Sequence, residues 1–308
     1  MNILENFINN NEIHLILNSI LNGTIEIEEL IRKIPLNFNL QGETTNINFS
    51  GDNQKTLDII SNDILINNLT KTNCCSFLLS EENEDAIKLH HGDYMVTFDP
   101  LDGSSNIDCN VCIGTIFSIY KNDNSLNYLR TGRDIIVAGY IIYGPATEAV
   151  IAFENNVQRF ALNPVNKQYE YIGTLSLENK NKKIYSINEA NSLNWSKDII
   201  EYINSFKSNK YTQRYIGSMV ADVHRTLLYG GMFCYPADLN NTNGKLRLVY
   251  ECYPMAYIFE KAGGCGIVGN NSSTKILDLL PTNIHQRTPI LLGTQKEIEK
   301  YINILHKY

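Results

Sequence analysis

A chain of 308 residues, with 43% hydrophobic and 19% charged residues, is long enough for one large domain or two medium-sized domains with substantial cores. Its formal net charge of −7 argues against a nucleic-acid partner, because phosphate backbones are bound by basic surfaces. The stretch MNILENFINN lacks the basic and apolar regions of a secretory signal, and the apolar runs fall short of the ~20 residues of a membrane span. We therefore expect a cytoplasmic protein without a membrane partner.

The first part of the chain has the apolar spacing of helices. Residues 10–34 predict two helical segments, separated by the Asn-Gly pair at 22–23 and ended by Pro35. Residues 36–53 are polar and lack periodicity, which is typical of a functional or mobile loop. A further helix is predicted over 54–70, where apolar residues share one face.

From residue 74 the pattern changes to short apolar runs between polar residues, which predicts strands. The runs are CCSFLL, YMVTF, TIFSIY, IVAGYIIYG and EAVIAF. A second series of strands and helices begins at KKIYSIN, so we expect an N-terminal domain over 1–180 and a C-terminal domain over 181–308. In the second domain, Ser218 is the predicted N-cap of a helix that stops at the Gly-Gly pair 230–231. The predicted fold class is α/β or α+β, with mixed sheets in two halves.

Seven cysteines lie in or beside apolar runs. Cys109 and Cys112 form one CxxC pair, but no second pair follows at the spacing of a zinc ribbon. We therefore expect reduced core thiols, and neither a zinc site nor a disulfide framework.

The run FDPLDGSSN at residues 98–106 is the feature most indicative of chemistry. An apolar strand ends in two aspartates, Asp99 and Asp102, with a proline between them that fixes the bend. The following Gly-Ser-Ser offers N–H groups and hydroxyls that can surround a phosphate. Carboxylates beside an anion site indicate a cation between them, and hard oxygen ligands favour Mg²⁺ or Mn²⁺ over zinc. An Asx-rich turn would explain an isolated Asp-Gly, but not the whole run.

Further carboxylates stand at or near the polar ends of predicted structure. They are Glu81 and Glu82 after CCSFLL, Glu251 after LRLVY, Asp52 in the polar loop and Asp58 on the next helix. Each one alone is more typical of a solvated surface acid, but strand ends are where α/β folds build their sites, and the pattern recurs. Phosphoryl transfer needs positioning and charge neutralisation, and a spare carboxylate can accept the proton of an attacking water.

Cations and polar side chains near strand ends of the second half predict partners for a phosphate. They are Asn188, Arg214, Tyr215, Tyr235, Lys245 and Arg247. A lone tyrosine among 18 is more often a core or rim residue, so the combination carries the prediction. The six histidines lack metal-ligand spacing, and we assign them no role.

These motifs together closely resemble class I fructose-1,6-bisphosphatase. The resemblance rests on LLSEE, FDPLDGSSNID, GSMVADVHRTLLYGG and GKLRLVYECYPMAYIFEKAGG, and extends from about residue 13 to the C-terminus. It implies a layered αβαβα fold related to inositol phosphatases and a homotetramer. It also implies Mg²⁺-dependent hydrolysis of fructose 1,6-bisphosphate at the 1-phosphate, giving fructose 6-phosphate.

The resemblance also implies roles for individual residues. The metal ligands would be Glu81, Asp99, Asp102, Glu251 and the carbonyl of Leu101. The acids that activate the attacking water would be Glu82 and Asp58, with Asp52 on a loop that closes over the metals. The 1-phosphate and the sugar would be contacted by Asp102, Gly103, Ser104, Ser105 and Met219. The 6-phosphate site would contain Asn188, Tyr215, Tyr235 and Lys245, with Arg214 reaching it in a neighbouring subunit.

The chain departs from the family pattern at two sites. Asn191 stands where a tyrosine near the 6-phosphate is usual. AMP is the family's inhibitor in animals, and its phosphate is wrapped there by a Thr-Gly-Glu-x-Thr turn that aligns here with Asn-Asn-Glu-Ile-His at 10–14. Asp93 aligns with a phosphate-binding lysine, and Lys121 replaces a bidentate arginine. We therefore expect AMP inhibition to be weak or absent.

Two alternative readings remain. A sedoheptulose-bisphosphatase, or a broader sugar or inositol phosphatase, would share the metal site. A non-catalytic regulatory or scaffolding homologue would be expected to have lost a carboxylate of that site, and all seven candidate carboxylates are present.

Overall fold

A computed structural model of the chain describes residues 8–36, 43–47, 53–89, 92–122 and 127–307. Within these ranges it contains six α-helices and seventeen β-strands. The helices are α1 (Asn11–Lys33), α2 (Thr56–Lys71), α3 (Lys197–Ser208), α4 (Met219–Tyr229), α5 (Tyr253–Lys261) and α6 (Gln295–Leu305). The strands are β1 (Glu43–Ile47), β2 (Asn53–Lys55), β3 (Cys75–Ser80), β4 (Ile87–Lys88), β5 (Tyr94–Asp102), β6 (Ile113–Lys121), β7 (Ile135–Tyr143), β8 (Thr147–Phe153), β9 (Asn156–Asn163), β10 (Gln168–Thr174), β11 (Ile184–Ser186), β12 (Thr212–Gln213), β13 (Met232–Tyr235), β14 (Leu246–Arg247), β15 (Gly264–Ile267), β16 (Arg287–Thr288) and β17 (Ile290–Thr294).

Eight strands form the first sheet, in the spatial order β10-β9-β8-β7-β6-β5-β3-β4. β3 and β5 are parallel, and the other neighbouring pairs of this sheet are antiparallel. Strands β5, β6 and β7 are buried along almost their whole length. A strand covered on both faces has a continuous apolar sequence without alternation. The five apolar runs in the sequence all form strands of this sheet, as predicted.

Five strands form the second sheet, in the order β12-β11-β13-β17-β15. The neighbours of β11 are parallel to it, and the neighbours of β17 are antiparallel. The chain changes sheet between Thr174, the end of β10, and Ile184, the start of β11. This change supports a domain division near residue 180, which stays a proposal.

Three clusters of buried apolar side chains separate alternating layers of helix and sheet. The first cluster joins α1 and α2 to one face of the first sheet. The second joins α4 and α5 to the other face of that sheet and to the second sheet. The third joins α3 and α6 to the outer face of the second sheet. The layers run helix, sheet, helix, sheet, helix, which confirms the predicted fold class of two mixed-sheet halves in an αβαβα arrangement.

The two predicted helical segments in residues 10–34 are one helix, α1, so the predicted break at 22–23 is wrong. Gly23 lies inside this helix, and a Cβ on it would be 3.1 Å from a methyl carbon of Leu65 on α2. The glycine therefore permits close packing of two helices and does not end one. The polar segment 36–53, predicted as a loop, contains strand β1, which pairs with β2 in a two-stranded sheet.

All seven cysteines are free thiols, and five of them are buried. Cys109 is exposed and Cys112 is half-buried, so the expectation of a core position is wrong for these two. Both follow the FDPLDGSSN run, in a segment that turns at the surface before β6. Of the helices that the structure describes, none combines the length and the apolar character needed to cross a bilayer.

Candidate active site

Asp99 and Asp102 lie at the end of β5, where the strand is irregular. The pairing of β5 with β6 joins Asp99 to Ile116 and Asp102 to Gly114, so three steps along β5 match two along β6. Residues three apart in a regular strand point to opposite faces. The extra residue makes a β-bulge, and the bulge lets both carboxylates face the same place. Their oxygens lie within 4.8 Å of each other and of a carboxylate oxygen of Glu251.

Pro100 and Leu101 form this bulge. Pro100 has no N–H to give to the strand ladder, and its carbonyl accepts a hydrogen bond from Thr115 Oγ1 at 2.8 Å. The N–H of Leu101 donates to Asp99 Oδ1 at 2.9 Å. These two bonds pair the Pro100 carbonyl and the Leu101 N–H within the bulge. The assignment of the Leu101 carbonyl as a metal ligand stays a prediction.

The N-terminus of α4 holds one oxygen of Asp102. The N–H of Val220 donates to Asp102 Oδ2 at 2.8 Å, and the hydroxyl of Ser218 donates to the same atom at 3.3 Å. The first N–H groups of a helix lack intrahelical partners and carry partial positive charge, and both features favour a carboxylate. Ser218 occupies the N-cap position, as predicted, but its hydroxyl bonds Asp102 and not its own helix.

Gly103 turns the chain out of β5 with a φ of +78°, a conformation that favours glycine. A Cβ at this position would lie 2.9 Å from the Cβ of Ser218, so the close approach of the two segments also requires glycine. A 3₁₀ helix, Ser104–Cys109, begins directly after the turn. Ser104 is half-buried and Ser105 is exposed, so the two predicted phosphate-contacting hydroxyls border the buried carboxylates.

Glu251 lies in a π-helical turn, Leu248–Cys252, at the start of α5. The N–H of Tyr253 bonds the carbonyl of Leu248, which is the five-residue step of a π-turn. Such turns occur mostly as single interruptions of α-helices, frequently at functional sites. The backbone N–H of Arg247 donates to Glu251 Oε2 at 2.5 Å, and this bond directs the carboxylate back toward β14.

Glu81 lies directly after β3, beside β5 in the sheet. Its N–H donates to the carbonyl of Phe98, and its Oε1 lies 3.1 Å from Nη2 of Arg247. The side chain of Glu81 also forms a hydrogen bond with Asp99. Arg247 therefore offsets one negative charge at the edge of the cluster, while Asp99, Asp102 and Glu251 form its centre.

The three central carboxylates are almost completely buried, at 3%, 6% and 3% exposure for Asp99, Asp102 and Glu251. Burial raises the pKa of Asp99 and of Glu251 well above the ordinary value, and the neighbouring carboxylates raise both further. Burial also raises the pKa of Asp102, to about 7. Like charges this close are unfavourable in a low-dielectric site unless a cation lies between them. The donor set consists of hard carboxylate oxygens, and it fits a divalent cation such as Mg²⁺ or Mn²⁺.

Asp58 lies one turn into α2, beside the same cluster. Its Oδ2 accepts a hydrogen bond from the N–H of Lys55 at 2.8 Å, and its carboxylate also accepts one from Ser104. Burial raises the pKa of Asp58 to about 6, and the charge of Glu81 contributes to the rise. A carboxylate with a pKa in this range is suited to accept a proton near neutral pH. The ammonium of Lys55 bonds Asp108 at 2.8 Å and so ties β2 to the 3₁₀ helix.

Asn188, Asn191 and Tyr235 line one small pocket in the second half of the chain. Tyr215 is half-buried, and its pKa is raised by burial and then by the nearby Tyr235, Asp222 and Asp102. Met219 is buried at the first position of α4. Of these residues, Met219 adjoins Val220, which bonds Asp102, and Tyr215 lies near Asp102.

The remaining predicted residues are not placed in the cluster by the structure. Arg214 is exposed, and its guanidinium donates to the carbonyl of Gln213 at 3.0 Å. Lys245 is exposed directly before β14. Glu82 is half-buried, and its N–H donates to Ser80 Oγ. Asp52 lies outside the described residues.

Sequence reasoning missed Asp222, which organises the segment before α4. Its carboxylate is fully buried and accepts hydrogen bonds from Ser186 and Arg225, and from the N–H groups of Ile216 and Gly217. These bonds hold the backbone that leads to Ser218 and so to Asp102. The available signal was a charged residue among the apolar residues of a predicted helix, which indicates a buried partner.

Two protein-family models match the chain. "Fructose-1-6-bisphosphatase, N-terminal domain" matches residues 3–173, and "Fructose-1-6-bisphosphatase, C-terminal domain" matches residues 178–306.

Similar curated proteins carry the same name. Fructose-1,6-bisphosphatase 1 of Bos taurus is 42% identical, over 96% of this chain and 90% of its own. Fructose-1,6-bisphosphatase of Schizosaccharomyces pombe is 42% identical, over 96% and 87% respectively.

Solved structures agree with these matches. The crystal structure of Leishmania major fructose-1,6-bisphosphatase in holo form superposes with a TM-score of 0.90 at 39% identity, covering 95% of this chain and 94% of that chain. The apo form of the same protein gives a TM-score of 0.83 at 36% identity, covering 95% and 93%. Sequence, domain models and fold agree along nearly the whole length, and the chain belongs to the fructose-1,6-bisphosphatase family.

Proposed function

We propose that this chain hydrolyses fructose 1,6-bisphosphate to fructose 6-phosphate and phosphate, and that it depends on Mg²⁺. The observation that carries the proposal is the buried cluster of Asp99, Asp102 and Glu251, whose oxygens lie within 4.8 Å of one another in a chain of this family. All three acids come from the sequence runs that resemble the family. The cluster adjoins a Gly-Ser-Ser segment, half-buried at Gly103 and Ser104 and exposed at Ser105, that can receive a phosphate.

Each residue has a proposed role in this reaction. The metal ligands are Glu81, Asp99, Asp102, Glu251 and the carbonyl of Leu101. A bound Mg²⁺ would neutralise charge on the transferred phosphoryl group and on the leaving oxygen. Asp58 accepts the proton of the attacking water, with Glu82 and Asp52 assisting, and its raised pKa of about 6 supports that role. The Ser104 hydroxyl orients the carboxylate of Asp58.

The second phosphate of the substrate would bind at the pocket of the C-terminal half. Asn188 and Tyr235 line this pocket, and Tyr215 lies near both Tyr235 and Asp102. Lys245 supplies positive charge, and Met219 contacts the sugar. We further propose a cytoplasmic homotetramer in which the exposed Arg214 reaches the 6-phosphate of a neighbouring subunit.

Removal of divalent cations should abolish phosphate release, and Mg²⁺ should restore it. The buried acids repel one another and the phosphates without a cation, so chelator-treated protein should be inactive. A colorimetric phosphate assay with and without chelator measures the metal dependence. The same assay with fructose bisphosphate, sedoheptulose bisphosphate and inositol phosphate side by side measures the substrate specificity. Fructose 1,6-bisphosphate should be hydrolysed fastest. A faster rate with either of the other substrates would contradict the proposed specificity, and full activity in excess chelator would contradict the metal dependence.

We expect AMP to inhibit this chain weakly or not at all. The first N–H groups of α1 are already bonded, because Asn10 Oδ1 accepts from Glu12 at 3.0 Å and from Ile13 at 3.1 Å. The exposed carboxylate of Asp93 stands where the resemblance places a phosphate-binding lysine, and it adds negative charge there. An activity titration with AMP measures this, and an AMP-sensitive animal member of the family serves as the positive control. Inhibition by micromolar AMP would show the expectation to be wrong.

A further inference from the structure

Glu81 and Glu82 lie in a turn after β3, and this turn is tied to α2 on one side. The hydroxyl of Ser80 donates to Asn62 Oδ1 at 2.7 Å. Asn62 Nδ2 donates in turn to Asn83 Oδ1 at 3.0 Å. Asn62 lies on the helix that carries Asp58, so this side fixes the turn relative to the proposed proton acceptor.

On the other side, the turn is tied to the C-terminal half by His285. Its Nε2 lies 3.0 Å from the carbonyl oxygen of Asn83 and 3.2 Å from that of Glu84. Carbonyl oxygens only accept hydrogen bonds, so Nε2 carries the proton. In the neutral ring, Nδ1 then accepts a hydrogen bond from the hydroxyl of Tyr250 at 2.7 Å.

Tyr250 is fully buried in the π-helical turn and directly precedes Glu251. The segment around His285 is also fixed to this turn through the backbone, because the N–H of Leu248 donates to the carbonyl of Gln286 at 2.7 Å. Strand β16, which follows, pairs with β14, which precedes the turn. One imidazole therefore connects the backbone directly after Glu82 to Tyr250, the residue beside Glu251, and its own contact with Asn83 spans 202 positions of sequence.

We propose that His285 is a positioning residue, which sets the separation between the Glu81–Glu82 turn and Glu251 and thereby the affinity of the acidic cluster for a divalent cation. This inference rests on the proposed function in one respect, namely that the cluster binds a metal. The ring nitrogens of His285 contact the Tyr250 hydroxyl and the carbonyls of Asn83 and Glu84. His285 acts through Tyr250 and through the carbonyls of the turn, as outer-shell partners of metal sites do.

The test is direct binding of Mn²⁺ without substrate, followed by calorimetry or by electron paramagnetic resonance. His285→Ala removes the hydrogen bond between Tyr250 and Nδ1 and the contacts of Nε2 with the two carbonyls. It should weaken Mn²⁺ binding by about 10- to 100-fold, the usual effect of losing an outer-shell partner. His285→Gln keeps an N–H at the reach of Nε2 and should recover most of the affinity. Tyr250→Phe removes only the hydroxyl and should give an intermediate loss. KM for the sugar bisphosphate at saturating metal should stay unchanged.

His306 at the end of α6 is exposed and far in sequence from the turn, and His306→Ala is the matched control, with unchanged Mn²⁺ affinity. A folded His285→Ala protein that binds Mn²⁺ as tightly as the unaltered protein overturns the inference, even if its melting temperature falls. If that variant does not fold, unaltered Mn²⁺ affinity in Tyr250→Phe overturns the inference equally.

The binding measurement uses no substrate, so the two proposals fail separately. A protein that binds Mn²⁺ but releases no phosphate contradicts the proposed function alone, and the change in Mn²⁺ affinity still decides the role of His285. An unaltered protein that binds no Mn²⁺ overturns both.

Discussion

Asp102→Asn should lower phosphate release from fructose 1,6-bisphosphate by at least about 100-fold, which exceeds the ~10- to 100-fold typical of outer-shell residues. The amide can still accept the hydrogen bonds of Val220 and Ser218, so the protein should stay folded. It cannot supply the negative charge that the proposed cation requires. Glu81→Gln should act in the same direction, because it removes a second charge from the same cluster.

The same Asp102→Asn substitution should stabilise the protein when no metal is present. Burial raises the pKa of Asp102 to about 7, from an ordinary value of 3.8. A carboxyl whose pKa is higher in the folded state contributes stability that is fully present below the unfolded value and is lost as the pH rises through the folded value. The metal-free protein should therefore lose stability between about pH 4 and pH 7, and asparagine avoids that loss.

Melting temperatures with chelator and with Mg²⁺ separate these effects. At pH 8 with chelator, Asp102→Asn should melt a few degrees higher than the unaltered protein. With Mg²⁺ the order should reverse, because only the unaltered site gains binding energy. The control is Asp63→Asn, an exposed acid on α2 that should change neither stability nor rate. Near-normal turnover in the Asp102 variant would remove this residue from the mechanism.

The sequence allowed the clustered carboxylates to be picked out where they are contiguous or follow apolar runs. Asp99 and Asp102 stand in one run, and Glu81 and Glu251 each follow a strand-like run. The geometry that joins them was not predictable, because a bulge and a π-turn depend on hydrogen bonds to other strands and helices. Without the bulge, the spacing of Asp99 and Asp102 would place them on opposite faces.

The residues that hold the carboxylates in place were not assigned this role, because their partners are distant in sequence. Ser218 bonds Asp102 across 116 positions, and His285 bonds Asn83 across 202. Local patterns predict Ser218 as a helix cap and give His285 no role, since neither has a partner at a periodic spacing. Gly23 shows the same limit of local patterns. An Asn-Gly pair predicts the end of a helix, but here the glycine lies inside α1 and allows α2 to pack closely against it.

Asp222→Ala should have the largest effect on stability, a loss of about 3–5 kcal/mol in the free energy of unfolding. Its carboxylate is fully buried, and Arg225 Nη2 lies 2.6 Å from Oδ1. Truncation would take the carboxylate from this guanidinium, which also bonds the Arg214 carbonyl, and would leave the N–H groups of Ile216 and Gly217 without their acceptor. Urea unfolding measures the loss. Phosphate release should also fall at temperatures where the variant is folded, because the backbone that leads to Ser218 and Val220, the partners of Asp102, is no longer held.

A double-mutant cycle tests whether the buried pair is the cause. Arg225→Met removes the cation that Asp222 neutralises, so the double variant Asp222→Ala with Arg225→Met should lose clearly less stability than the sum of the two single losses. Glu201→Ala is the surface control, since its ion pair with Lys307 is largely exposed and its loss should cost at most about 1 kcal/mol. If Asp222→Ala costs no more than Glu201→Ala, the buried network does not hold the segment that positions Asp102. Asp102 would then depend on its direct bonds to α4 alone.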